Sequence, residues 1–286
     1  MTDLGAVLTA IVTPFDESGA VDEQSFVALM AHVAATGSQG IVVAGTTGEA
    51  STLSEHEHLA LIELAVAERP AGLKVIAGTG TNDTGQVVKL TERATELGAD
   101  AMLSVTPYYN RPSRLGLMRH YEAAARATDK PTILYNIPSR TATNMPPDLL
   151  AELARLPGIE AVKQANADEL QLIDGLDLYA GDDANFAKVL DMGGAGGILV
   201  CSHIVGSEMR RMVDEPDERA AIDASLRDLF DVMFITTNPT PIKAALNMLG
   251  HRVGGLRLPL VEATDAEQQQ IRAVLDAHGL LAGAAR

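Results

Sequence analysis

Between residues 6 and 213 a short apolar run gives way to a segment of helical periodicity eight times in succession. The runs at 6–12, 40–45, 74–80, 101–107, 131–137, 159–165, 178–183 and 196–202 are rich in Val, Ile and Leu and show little polar alternation. Strands covered on both faces have this composition, because each βαβ crossover lays a helix over a parallel sheet. The helical segments carry their own signals. Phe26, Leu29, Met30 and Val33 repeat at the spacing of one buried helix face, with Asp22 suited to cap its start and Gly37 to stop it. The next segment opens on Ser54 with Glu57 at capping-box spacing. Further helices are predicted over 84–97, 114–127, 147–156, 168–175, 184–192 and 207–213.

Eight strand–helix units predict an α/β fold of the closed (β/α)8 barrel type, which typically occupies about 250 residues. An open doubly wound sheet normally has fewer strands and often a Gly-rich loop after the first. Here the first run leads into "TPFDESG", which has no such loop. After residue 215 the strand rhythm stops, and 219–235, 241–249 and 265–278 read as extra helices. The expected division is a barrel over 1–215 and a helical extension over 216–286 packed upon it.

The charge balance removes several functional classes. A net charge of −16 repels a phosphate backbone and an anionic membrane surface, so nucleic acid and membranes are not expected partners. No apolar stretch reaches the roughly 18 residues of a membrane span. The opening "MTDLGAVLTAIVTPFDE" has an acidic flank and lacks a small-residue cleavage site, which predicts no export signal. Cys201 is the single cysteine, so no intramolecular disulfide can form. The expectation is a soluble cytoplasmic protein.

In such a barrel, function collects at the C-terminal ends of the strands. Those ends supply Thr46 and Thr47 in "GTTGEA", Tyr108 and Tyr109 in "TPYYNRP", Tyr135 and Arg140 in "YNIPSR", and Lys163 in "AVKQA". Of the six lysines, Lys89, Lys188 and Lys243 fall in helical segments, where a solvated face is expected. Lys74 and Lys130 begin strands, on the opposite rim. Lys163 alone stands near the catalytic end of a strand. One reading makes it a snorkelling or ion-paired lysine at the barrel mouth. The other makes it an amine nucleophile, its neutral form favoured by low-dielectric surroundings and suited to a Schiff base with a ketone or aldehyde. Schiff-base chemistry needs hydroxyl groups to move protons, and Tyr135 on the adjacent strand, with Thr46, could supply them. Arg140 could clamp a carboxylate with two parallel bonds.

Other candidates have plainer readings. His56 and His58 stand two apart on a helix and face different ways, so no metal pair is expected. Asp182 and Asp183 precede a helical segment and suit N-capping. "GGAGG" at 193–197 comes before the last strand, which makes it a tight turn on the wrong rim for a phosphate cradle. Cys201 reads as a small buried residue.

"GTTGEA", "VTPYYNRPS", "LYNIPSRT" and "AVKQA", in this order and spacing, resemble the dihydrodipicolinate synthase branch of the pyruvate-dependent Schiff-base lyases, a superfamily that includes N-acetylneuraminate lyase. "AGDDAN", "GGILV" and "NPTPIKAAL" extend the resemblance over nearly the whole chain. It implies a homotetrameric barrel enzyme, a dimer of dimers, that condenses pyruvate with L-aspartate 4-semialdehyde on the route to lysine and diaminopimelate. No cofactor or metal is expected. By motif, Lys163 would form the Schiff base and Tyr135 would be the central proton-transfer group. Thr46 would link Tyr135 to Tyr109, which would enter the neighbouring subunit's site. Arg140 would recognise the semialdehyde's carboxylate, while Thr47 and backbone groups near Gly181 and Ile198 would hold pyruvate.

Two positions depart from the family pattern. Gln164 stands where an acidic residue is usual, and is expected to face away from Lys163. Ala50 stands where a serine is usual. Lysine-inhibited members bind the amino acid at positions matching Ala50, Ser51, Glu55, His58, Asn82, Gln86 and Tyr108. Here Ala50 lacks a hydroxyl, Glu55 replaces a basic or aromatic residue and Gln86 replaces a carboxylate, so weak or absent lysine inhibition is expected. Two alternatives stay open at this point. One is another Schiff-base pyruvate aldolase or dehydratase for a sugar acid or hydroxy-oxo acid; the other is a catalytically silent barrel that senses a small molecule.

Overall fold

A computed structural model describes residues 3–283. Its strands are β1 (Val7–Ala10), β2 (Gly40–Val43), β3 (Lys74–Gly78), β4 (Ala101–Val105), β5 (Thr132–Asn136), β6 (Ile159–Gln164), β7 (Asp177–Ala180) and β8 (Gly196–Leu199). All pair in parallel in chain order, and β8 returns to β1 to close the barrel. Most strands end before their apolar runs do. The residues beyond the last ladder bonds begin the loops of the C-terminal rim. Gly196 shows why β8 opens on a glycine: its φ is +155°, and a Cβ would lie 2.1 Å from the Ala6 carbonyl oxygen.

The connecting helices are α1 (Glu23–Ala35), α2 (Glu55–Glu68), α3 (Thr84–Glu96), α4 (Arg114–Arg126), α5 (Pro138–Thr141), α6 (Pro147–Leu153), α7 (Phe186–Asp191) and α8 (Ser202–Asp214). Asp22 caps α1 by accepting from the Ser25 amide, and the Ser54–Glu57 capping box is complete in both directions. α1 buries Phe26, Leu29, Met30 and Val33.

Three helical expectations need correction. The 168–175 segment is no α-helix: a 3-10 turn at Ala167–Glu169 leads into a turn closed by the Ile173–Leu176 bridge. Leu170 and Ile173 are only half-buried, Leu172 is exposed, and Gly175 takes φ +84°, so no continuous apolar stripe forms. The predicted 219–235 helix divides into α9 (Arg219–Ser225) and α10 (Arg227–Val232) at Leu226, whose φ of −106° and ψ of 0° break the helix while the side chain stays buried. α8 begins at Ser202, directly behind β8, rather than at 207, and Val205 interrupts it with non-helical dihedrals.

Two apolar layers result. The larger lies between barrel and helices. The smaller fills the barrel and includes Leu8, Val42, Ile76, Leu103, Ile133, Tyr135, Tyr179 and Ile198. Beyond α8 and α9–α10, α11 (Thr240–Met248) and α12 (Asp265–Ala277) pack against one another, and α10 also packs on α12. No helix among the described residues is long and apolar enough to cross a membrane.

Candidate active site

Side-chain alternation along β6 decides where its lysine goes. Ala161 belongs to the barrel-interior layer and Val162 to the outer one, and the period of two carries Lys163 inward and Gln164 outward. In register, Lys163 sits between Tyr135 of β5 and Tyr179 of β7. Its side chain is almost wholly buried, with Nζ 4.3 Å from the centroid of the Tyr135 ring. Burial pulls its pKa down to about 8. Asp183 and Asp182 oppose that shift, and Arg140 adds to it. At pH 7 this makes about one amine in ten neutral, against roughly one in 2,500 for a free lysine.

Tyr135 is equally buried. Desolvation pushes its phenol up to about 12, while the Arg140 charge and a hydrogen bond with Thr46 work in the other direction. The phenol therefore keeps its proton at neutral pH and can lend it to a neighbour. Thr46 stands in the turn after β2. Next to it, the buried Thr47 Oγ1 accepts a hydrogen bond of 2.9 Å from Asn238 Nδ2. Arg140 Nη2 donates to the Asn238 carbonyl at 3.1 Å. Asn238 thus ties the β2 turn to the arginine that follows β5.

Thr46, Tyr135 and Arg140 line a cavity of about 400 Å³, to which the C-terminal extension contributes Asn238, Pro259 and Leu260. The same cavity runs outward past Ala50, Ser51, Glu55, His58, Gln86 and Tyr108. Its walls hold all but one of the positions singled out as regulatory. Asn82 is the exception: it does not line the space, and its carbonyl accepts from Asn110 Nδ2. Glu55 pairs with Lys89 at 2.6 Å. His58 is buried against the Gly78 carbonyl at 2.7 Å, and burial holds its pKa down, whereas His56 is exposed.

Lys163, Tyr135, Thr46 and Arg140 therefore come together. The Gly181 amide donates to the Gln164 carbonyl at 2.8 Å, and a Cβ at that glycine would lie 2.7 Å from the Ala165 amide nitrogen. Ile198 is fully buried inside the barrel. Tyr109 is not brought to Thr46 within one chain: it is 89% exposed, with a φ of +72°. Gln164 points away from Lys163, and its Oε1 accepts from Asn136 Nδ2 and the Asn166 amide, both at 3.0 Å. Cys201 is buried.

Two expectations fail here. Asp182 does cap, accepting from the Asn185 amide, but Asp183 does not. Its carboxylate is fully buried and accepts from the Val200 and Cys201 amides at 3.1 and 2.8 Å. Burial pushes its pKa up to about 6 against the pull of those bonds. Two adjacent aspartates cannot both sit at one N-cap, and that was the available signal. Lys243 is also not solvated. It is 1% exposed, 2.7 Å from Glu49 Oε1 and 2.6 Å from the Gly255 carbonyl, over the Phe15 ring. The signal was its place three residues before Leu246, on the stripe that α11 buries.

A sequence profile of the Dihydrodipicolinate synthetase family matches residues 3–278. The 4-hydroxy-tetrahydrodipicolinate synthase of Symbiobacterium thermophilum is 44% identical over 98% of this chain and 100% of its own length. The Cyanidioschyzon merolae enzyme, solved with lysine bound, superposes with a TM-score of 0.93 at 39% identity, covering 98% of this chain and 100% of that one. The chloride-inhibited enzyme of Acinetobacter baumannii, solved with pyruvate, gives a TM-score of 0.93 at 35% identity over 97% and 99% of the two chains.

Proposed function

Because the chain belongs to the dihydrodipicolinate synthetase family, we infer that it is a lyase condensing pyruvate with L-aspartate 4-semialdehyde to 4-hydroxy-tetrahydrodipicolinate, in lysine and diaminopimelate biosynthesis. The observation that carries the site assignment is the Lys163 amine, desolvated beside a protonated Tyr135 on the adjacent strand. The neutral amine attacks the pyruvate ketone carbon. Proton transfers through the Tyr135 and Thr46 hydroxyls let the carbinolamine lose one water and become an iminium. Loss of a methyl proton gives the enamine, whose carbon attacks the aldehyde. The substrate's own amine then displaces Lys163 nitrogen and closes the ring, so one water leaves per turnover.

Arg140, exposed at the cavity, is assigned to the semialdehyde carboxylate, and Thr47 with the backbone near Gly181 and Ile198 to pyruvate. Tyr109, projecting at φ +72°, is assigned to a neighbouring subunit's relay, which calls for at least a dimer, and membership of the family is the reason for proposing a homotetramer built as a dimer of dimers. The division into a barrel over 1–215 and an extension over 216–286 gives the extension one wall of the cavity. A cytoplasmic location fits the substrates.

Incubation with pyruvate followed by borohydride reduction and peptide mass spectrometry tests the assignment. An adduct on Lys163 is expected, and an unmodified Lys163 would sink it. Arg140→Ala should raise the KM for the semialdehyde far more than that for pyruvate. Lysine inhibition should be weak or absent, because Ala50 offers no hydroxyl and Glu55 is already paired with Lys89; a micromolar inhibition constant would contradict this.

A further inference from the structure

The turn that carries Thr46 and Thr47 is held from outside the reacting groups, by a pair of buried charges. Glu49 closes the turn in the left-handed region, at φ +55° and ψ 37°, an unusual conformation for a residue with a Cβ. Its amide donates to the Thr46 carbonyl at 3.1 Å, so where Glu49 sits determines where Thr46 sits. Its carboxylate is buried, and both oxygens are used. Oε1 accepts from Lys243 Nζ at 2.7 Å and Oε2 from the Arg257 amide at 3.1 Å. Lys243 is fixed in turn by the Gly255 carbonyl, and the Arg257 guanidinium by the Gly19 and Thr52 carbonyls and by Glu57.

Stability alone is a poor reason for such a pair, since well-packed apolar side chains of the same volume serve a core as well or better. Its geometry offers a better one. Lys243 and Arg257 belong to the C-terminal extension, as does Asn238, which bonds to Thr47 and Arg140. The extension therefore grips the β2 turn at Thr47 itself and again at Glu49, two residues on.

We propose that Glu49 and Lys243 are positioning residues, whose buried pair sets the Thr46–Thr47 turn against Tyr135 so that the C-terminal extension fixes the proton relay inside the barrel. This rests on the Schiff-base reading above. Either single neutral substitution leaves a buried charge unpaired and can fail to fold, so the decisive variant is the paired one, Glu49→Gln with Lys243→Met, which removes both charges at nearly constant volume. Its melting temperature, its kcat and KM, and borohydride trapping of pyruvate are measured beside the parent chain. The expected result is a melting temperature near the parental one and pyruvate still trapped on Lys163, with kcat lower by at least about tenfold. A merely structural pair would not move kcat once stability is restored. A paired variant with parental kcat overturns the proposal, as does one that cannot fold. If the parent itself traps no pyruvate, the Schiff-base reading falls and this proposal with it, whereas a trapping parent beside a fully active paired variant removes this proposal alone.

Discussion

Among the described residues two lysines lie buried, and the fold handles them in opposite ways. Lys243 has a carboxylate and a carbonyl within hydrogen-bonding distance, and an aromatic face beneath. Burial lowers its pKa, but Glu49 opposes that through both charge and a hydrogen bond. Lys163 is lowered to about 8 by the same cause, with Arg140 pushing it further down as Arg257 does Lys243, yet the carboxylates that oppose it, Asp183 and Asp182, act as through-space charges. Burial therefore does not by itself mark a nucleophile. What separates the two is whether a carboxylate is bonded to the ammonium, which stabilises charge, or held off from it, which leaves the amine able to lose its proton near neutrality.

The sharpest way to break this comparison is to give both lysines the same substitution. Lys163→Met should abolish the borohydride adduct and lower kcat by more than about a thousandfold. It should leave the melting temperature level or higher, because a desolvated amine is removed. Tyr135→Phe should follow, with kcat reduced by about 10² to 10⁴ and the fold intact, since the ring stays and only the transferable proton is lost. Lys243→Met should leave the borohydride adduct on Lys163 in place and cost stability instead. Chemical denaturation should show a loss of about 3–5 kcal/mol, the usual cost of leaving a buried carboxylate without its partner. If Lys243→Met proved as stable as the parent, Glu49 would not need its partner and the contrast would collapse.

How far the sequence anticipates this molecule depends on how local each signal is. The barrel was legible because strand runs and helix faces repeat with fixed periods, and Asp22, Ser54 and Glu57 announce helix starts within a few residues. Lys163 was legible from its place at a strand end, and Gln164 from the period of two. The missing helix at 168–175 was not, since its apolar spacing satisfies a helical template while nothing in the chain shows that the barrel leaves Leu172 exposed there. The Glu49–Lys243 pair and the Asn238–Thr47 bond join residues more than 190 positions apart, and no local pattern encodes such a meeting. Asp183 was misread for a related reason: its partners are the Val200 and Cys201 amides at the end of another strand.

The smallest effect concerns pH. In the proposed Schiff-base role Lys163 reacts in its neutral form, so the trapping rate with pyruvate should climb with pH up to about 8, where half the amines are neutral, and level off above it. A lysine at its ordinary value would keep climbing past pH 10. Asp183→Asn sharpens the point. Asp183 raises the Lys163 pKa through its charge, so removing that charge should move the limb toward lower pH, while an asparagine oxygen can still accept from the Val200 and Cys201 amides that follow β8. Lys243→Met, in protein kept folded, should leave the limb where it is, because its amine is bonded to Glu49 and takes no part in the attack. A limb that followed Lys243 instead would show the two lysines to be coupled, and the division of labour between them would have to be redrawn.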